Sequence, residues 1–244
     1  ALNPYNIWLM VVMISAINLV GYVILKFAGQ HWGGPVMGIL GGIVSSTATT
    51  LSFSRHTRDN HDLSMMGAVV VSLASTVVLL RMAFLVGIIH VELLLIMALP
   101  VLVMFCCGLL AVSFVWKKSS KQQAPPPETR NPVELKQALL FGFIYAVVLL
   151  GVSAGKDYFG NKGVYIVSLI SGLTDVDAIT LSNSRLAAKA ALENTQAVIS
   201  ILIAYVSNLA FKLVMIGVIG TRQMLRWSLV CFVCLSLPAL LILV

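Results

Sequence analysis

Two carboxylates, Asp175 and Asp177, sit inside long apolar sequence, and Arg81 and Lys212 are the bases in a comparable setting. A charged side chain at a bilayer centre costs about 2.5 to 3.5 kcal/mol on insertion scales, so each of the four is a candidate for function. Carboxylates combined with hydroxyl and carbonyl oxygens ligate hard cations such as Mg²⁺ or Na⁺. The hydroxyls are at hand: Thr174 and Thr180 flank the acids, and Ser45, Ser46, Thr47, Thr49 and Thr50 form a second polar run. Asp175 and Asp177 are therefore the expected ion or metal ligands. In the competing reading they form structural ion pairs with Arg81 or Lys212; the charges then cancel, and an anionic or zwitterionic solute fits as well as a cation. Asn208 lies one helical turn before Lys212 and extends its polar face.

The elements that position these residues follow from composition. With 10 % charged and 59 % hydrophobic residues and a mean hydropathy of +0.98, the chain is an all-α integral membrane protein whose first partner is the lipid bilayer. The net charge of +7 marks orientation rather than nucleic-acid binding, since so apolar a chain cannot offer a basic face to a duplex. Apolar runs between charged clusters predict eight helices, at 7–26, 35–54, 65–89, 92–116, 133–155, 163–184, 194–219 and 222–244. The segment 117–131 carries Lys117, Lys118, Lys121, three consecutive prolines and Arg130, and reads as a solvated linker between a repeat at 1–116 and another at 132–244. Cys106, Cys107, Cys231 and Cys234 lie in apolar helical sequence without basic companions and read as packing thiols. The N-terminal stretch lacks the basic region and cleavage site of a signal peptide.

The halves repeat each other at an offset of 130 residues. Asn3-Pro4 and Asn131-Pro132 open them alike, Gly87 pairs with Gly217, and within 42–55 and 172–185 the positions Gly42/Gly172, Ala48/Ala178, Thr50/Thr180, Ser54/Ser184 and Arg55/Arg185 are identical. Four helices in each half, an even number, predict parallel repeats related by an axis along the membrane normal. With the linker taken as cytoplasmic, Arg55, Arg58, Arg185 and Lys189 join it on that side, and both termini are expected there too.

Asp175 and Asp177 would point about 200° apart in a regular helix but to one side of an extended segment. Gly41, Gly42 and Gly172 are the expected break points. The second and sixth helices are thus predicted to be discontinuous, with their Gly-Ser-Thr and Gly-Thr-Asp segments meeting near the midplane.

The motifs GGIVSSTATT at 41–50 and SGLTDVDAIT at 171–180, with ALNP at the start, resemble the DUF4010 family over nearly the whole chain. The resemblance implies a bacterial inner-membrane protein, the carboxy-terminal part of a longer chain, with an MgtC/SapB-type domain as neighbour and candidate partner. It implies no function. A second copy of the chain is a further candidate partner.

These readings together predict a transporter or channel for an ion or small solute, with no resident cofactor beyond a bound cation. The alternative is a non-transporting module that docks on an MgtC-type domain or another membrane complex; its marks would be continuous helices and fully paired acids. Catalysis is not expected, because both deep acids belong to one helix and no Ser/His or zinc constellation occurs in the spans.

Overall fold

A computed structural model describes residues 34–119 and 135–243, together with helical residues 5, 7–9, 11–13, 15–16, 19–20 and 23. The Asn-Pro openings, Lys26 and most of the linker lie outside the described residues. The protein is helical: α1 Gly34–Asp59, α2 Ser64–Ile89, α3 Val91–Lys118, α4 Leu135–Thr174, α5 Val176–Ala188, α6 Asn194–Ile219 and α7 Arg222–Leu243, with one 3₁₀ turn at His61–Leu63. Among the described residues, five helices are long and apolar enough to cross a membrane. α2 is largely buried from Ser64 to Leu79, and its small residues Gly67, Ala68, Ser72, Ala74 and Ser75 let neighbours approach closely. α3 turns Leu95, Leu99 and Leu110 outward, as a lipid-facing helix does.

Length alone misleads for α1, because it is a hairpin. Its first limb climbs α2 in step: Gly34 lies against Met66, Gly38 against Val70 and Leu73, and Gly42 against Ala74 and Val77. At Ser45 the backbone is extended, with φ −168° and ψ 107°. The second limb then comes back, since Gly41 faces Thr49 across the break and Thr57 faces Gly67. A straight helix would separate Gly34 from Thr57 by about 35 Å, yet both lie against the adjoining residues Met66 and Gly67.

The second half repeats this form. α4 reverses at Gly160, whose φ of 59° is one that glycine adopts without strain, and the limb after it lies on the limb before it, Gly155 on Gly163 and Gly151 on Val167. The returning limb stops at Asp175, extended at φ −152° and ψ 128°, and α5 starts there. Lys156 donates to the Ala191 carbonyl, so the chain after α5 is back where the limb began.

Helix bounds and contacts keep the offset of 130. α2 and α6 match at both ends, the breaks at Ser45 and Asp175 correspond, and Gly42 on Ala74 is repeated by Gly172 on Ala204. Direction is what differs from expectation. Thr221 at the end of α6 bonds to Ser64 at the start of α2, at 2.8 Å. His90 beyond the end of α2 bonds to Asn194 at the start of α6, at 3.1 Å. Equivalent helices therefore run antiparallel, and the expectation of parallel halves is corrected. Each hairpin returns to the end of the bundle it entered from and so does not cross it. α1 enters from the end where Lys118 and Leu135 meet the linker, and the 161–188 hairpin from the opposite end.

The expected placing of the termini changes with it. α7 starts beside Ser64 at the linker end and runs to the opposite end, and Leu9 and Met13 share a cavity with Ile88 and Ile89 there. The chain's described ends thus lie across the bundle from the linker, not beside it.

Two outcomes follow. In a background free of native cysteines, His61→Cys and Ala191→Cys should react with an impermeant maleimide from opposite sides of the membrane; labelling from one side would restore the parallel arrangement. A Cβ at Gly42 would sit 2.6 Å from the Ala74 carbonyl, so Gly42→Val should cost about 1–3 kcal/mol and lower Tm. Gly151→Ala, whose nearest neighbour would be 3.4 Å away, should leave Tm unchanged.

Candidate functional site

Both hairpin tips lie inside the bundle, bridged by one side chain of α2. Each is a helix that stops and restarts, and each restart is capped by the residue at the break. Ser45 Oγ accepts from the Ala48 amide at 3.2 Å, and Asp175 Oδ1 accepts from the Asp177 amide at 2.9 Å. A short oxygen-bearing side chain at this position satisfies an amide that the helix leaves free. The expected break residues are corrected accordingly. The chain departs from helix at Ser45 and Asp175, three residues beyond Gly42 and Gly172, while those two glycines allow close packing on α2 and α6 and Gly41 makes room for Thr49.

Arg81 joins the tips. Its Nη1 donates to the Ile43 carbonyl at 3.1 Å, at the end of the first limb of α1, and its Nη2 forms an ion pair with Asp177 in the first turn of α5. Lys212, fully buried, donates to Ser46 Oγ at 2.9 Å and to Ser75 Oγ at 3.1 Å. Each base thus comes from one half and reaches the other half's hairpin. Of the expected charge partners, Arg81 pairs with Asp177, whereas Lys212 rests on neutral hydroxyls. Asn208 plays a different part from the one expected, since its Nδ2 donates to the Gly172 carbonyl at 2.9 Å and holds the limb ahead of the second break.

The other expected ligands divide by exposure. Ser45, Thr47 and Asp175 are half-buried and Thr174 is exposed, so polar groups of both tips are open at the level of the breaks. Thr49 and Thr50 are buried and donate to the carbonyls of Ser45 and Ser46, each at 2.8 Å. Thr180 is buried with its hydroxyl unpartnered. Asp175 and Asp177 take separate partners, and among the described residues no group of three or more His, Cys, Asp or Glu could hold a metal ion.

Residues 12–220 match the family described as a domain of unknown function, DUF4010. The chain belongs to this family. A protein of Aquifex aeolicus (strain VF5), described as uncharacterized, is 32 % identical over 188 residues, which are 76 % of this chain and 82 % of that protein. No solved structure matches the chain. Family membership thus agrees with the resemblance carried by 41–50 and 171–180, and the chemistry has to be argued from the tips themselves.

Sequence reasoning passed over Ser75 and Tyr205. The Tyr205 hydroxyl donates to the Ser75 carbonyl at 3.0 Å, and the two residues occupy equivalent positions in the halves, 130 apart. Contact between equivalent residues places them at the axis relating the halves, a relation visible in the numbering once α2 and α6 are known to be neighbours. Of the marks of an inert module, ion pairing holds for Asp177, but the helices are broken and, among the described residues, Asp175 pairs with no base.

The Arg81 and Asp177 side chains are 10 % and 11 % exposed, so removing one strands the other. Arg81→Met should cost about 3–5 kcal/mol, and Arg81→Met with Asp177→Leu should recover most of it. Denaturation of the two single variants and the double variant checks this; additive losses would show that the side chains do not act as a pair.

Proposed function

We propose that this protein is a membrane transporter for a small ion or solute, built from two inverted repeats. Each repeat has three membrane-crossing helices and one re-entrant hairpin, with the first crossing of the first repeat formed by the segment around 5–23. The observation that carries the reading is the pair of chain breaks at Ser45 and Asp175. Two breaks at equivalent positions, entering from opposite ends and bound to one guanidinium, make the arrangement in which discontinuous helices hold a substrate near the midplane. Irregular backbone at that depth is tolerated where it is buried in protein or lines a wet cavity.

The substrate site in this reading lies between the tips at Ser45, Thr47, Thr174 and Asp175. Arg81 neutralises Asp177, which leaves Asp175 as the carboxylate free to meet a cation. Its neighbours are hydroxyl and carbonyl oxygens, the ligands of a hard monovalent ion. A divalent ion is less suited, because the second carboxylate is already engaged. Proton coupling would run through Asp175, whose protonation removes the same charge that a bound cation balances.

The charges also orient the chain. At the linker end stand Arg55, Arg58, Lys117, Lys118, Lys136, Arg222 and Arg226, with Lys121 and Arg130 in the linker; at the other end stand Lys156, Lys162, Arg185 and Lys189. The excess makes the linker end cytoplasmic. In a bacterial inner membrane both chain ends would then face outward.

Asp175→Asn tests the assignment, because that side chain holds no ion pair. In proteoliposomes it should abolish cation flux, by at least tenfold, while size-exclusion behaviour and Tm remain those of the parent. Flux equal to the parent's in a folded Asp175→Asn protein would overturn the site.

A further inference from the structure

At the outward end, away from the hairpin tips, a cavity of about 480 Å³ falls within the size range of ligand sites. Its wall is apolar, made by Leu9 and Met13 of the N-terminal helical segment and by Ile88 and Ile89 at the end of α2. Its charged side is Arg185 and Lys189 at the end of α5, and among the described residues no acid lines it. Four residues apart, the two bases project from one helix face. Trp8, Tyr158 and Phe159 are exposed at this end, at 55 %, 83 % and 73 %, and exposed aromatics of this kind sit at the membrane–water interface. The two cations therefore stand at headgroup depth, with the apolar wall running inward from them.

We infer that this cavity binds an anionic glycerophospholipid, its phosphodiester on Arg185 and Lys189 and an acyl chain along Leu9, Met13, Ile88 and Ile89. The division of chemistry excludes simpler occupants. A free anion would leave the apolar wall wet, and a neutral amphiphile would leave two cations unmatched. A zwitterionic lipid carries its own amine beside the phosphate, which the bases repel. Basic pockets between transmembrane helices recognise anionic headgroups in this way. The bound lipid would touch three elements at once, among them the return limb of the second hairpin, and would tie the root of that hairpin to α2.

The test uses the purified, delipidated full chain and three additions: phosphatidylglycerol, phosphatidylethanolamine and inorganic phosphate. Phosphatidylglycerol should raise Tm and remain bound in native mass spectra as a single molecule. Arg185→Gln with Lys189→Gln should weaken that binding about thirtyfold, as two interfacial charges would. Ile89→Trp, which narrows the apolar wall and keeps both charges, should weaken it as well. The inference is overturned if phosphatidylglycerol leaves the parent's Tm unchanged, if the charge variant binds it as the parent does, or if phosphatidylethanolamine matches it. Stabilisation by inorganic phosphate alone would overturn it too, showing a simple anion site.

Discussion

A chain that turns back inside a bilayer must satisfy the backbone groups it frees, because no water reaches them from the lipid. Both hairpins of this protein meet that constraint with few groups. The freed Ile43 carbonyl takes the Arg81 guanidinium, the Gly172 carbonyl takes Asn208, and the two restarting helices are capped by Ser45 and Asp175. Each half thus meets its own freed carbonyl and adds one base to the other half's hairpin, Arg81 on Asp177 and Lys212 on Ser46.

The duplication preserves the frame and changes the chemistry. Glycine, alanine and break positions coincide at an offset of 130, whereas the groups at the tips do not: Ser45 faces its counterpart Asp175, Ser46 Val176, Thr47 Asp177, Arg81 Phe211 and Met82 Lys212. Positions that set how closely helices approach are held in both halves, since Gly42 and Gly172 each lie on an alanine backbone. Positions that set charge at the tips have diverged. The first tip carries hydroxyls and the second carboxylates, and the bases sit one residue apart in the repeat numbering, on α2 in one half and α6 in the other. A twofold frame with an asymmetric centre can hold one solute in one orientation.

Much of this was legible in the residues. The offset of 130, the pairing of the two polar runs and the significance of four charges in apolar sequence are properties of composition and spacing, and the structure brings these residues together. The direction of the second and sixth helices was not legible. A run such as 35–54 has the length and hydropathy of a crossing helix whether it crosses or doubles back, because hydropathy reports the solvent of a segment and not its path. The turn is decided by Gly41 meeting Thr49 and by Ser45 leaving helical backbone, both tertiary facts. From that one ambiguity came the parallel halves and the termini placed beside the linker. The break residues were misread for a related reason: glycine permits a break, but in these helices its missing side chain serves packing, and a capping oxygen three residues later accommodates the break.

Inversion also bears on how access to the proposed site would alternate. Two inverted halves of similar fold can exchange roles, the arrangement adopted by one half becoming that of the other with the opposite side of the membrane exposed. The described state is unequal in this sense. The first tip is held by Arg81 and Lys212, through Ile43 and Ser46, and the second by Asn208 on Gly172 and Arg81 on Asp177, with Thr174 exposed and Asp175 half-exposed beside it. The second tip is thus the more exposed at its break. Opening it would separate Asp177 from Arg81 and leave two charges unpaired in an apolar interior, a costly state unless a cation met the carboxylates as they parted. That condition links movement of the hairpin to occupancy of the site, and it places the link in the pair that joins the two tips.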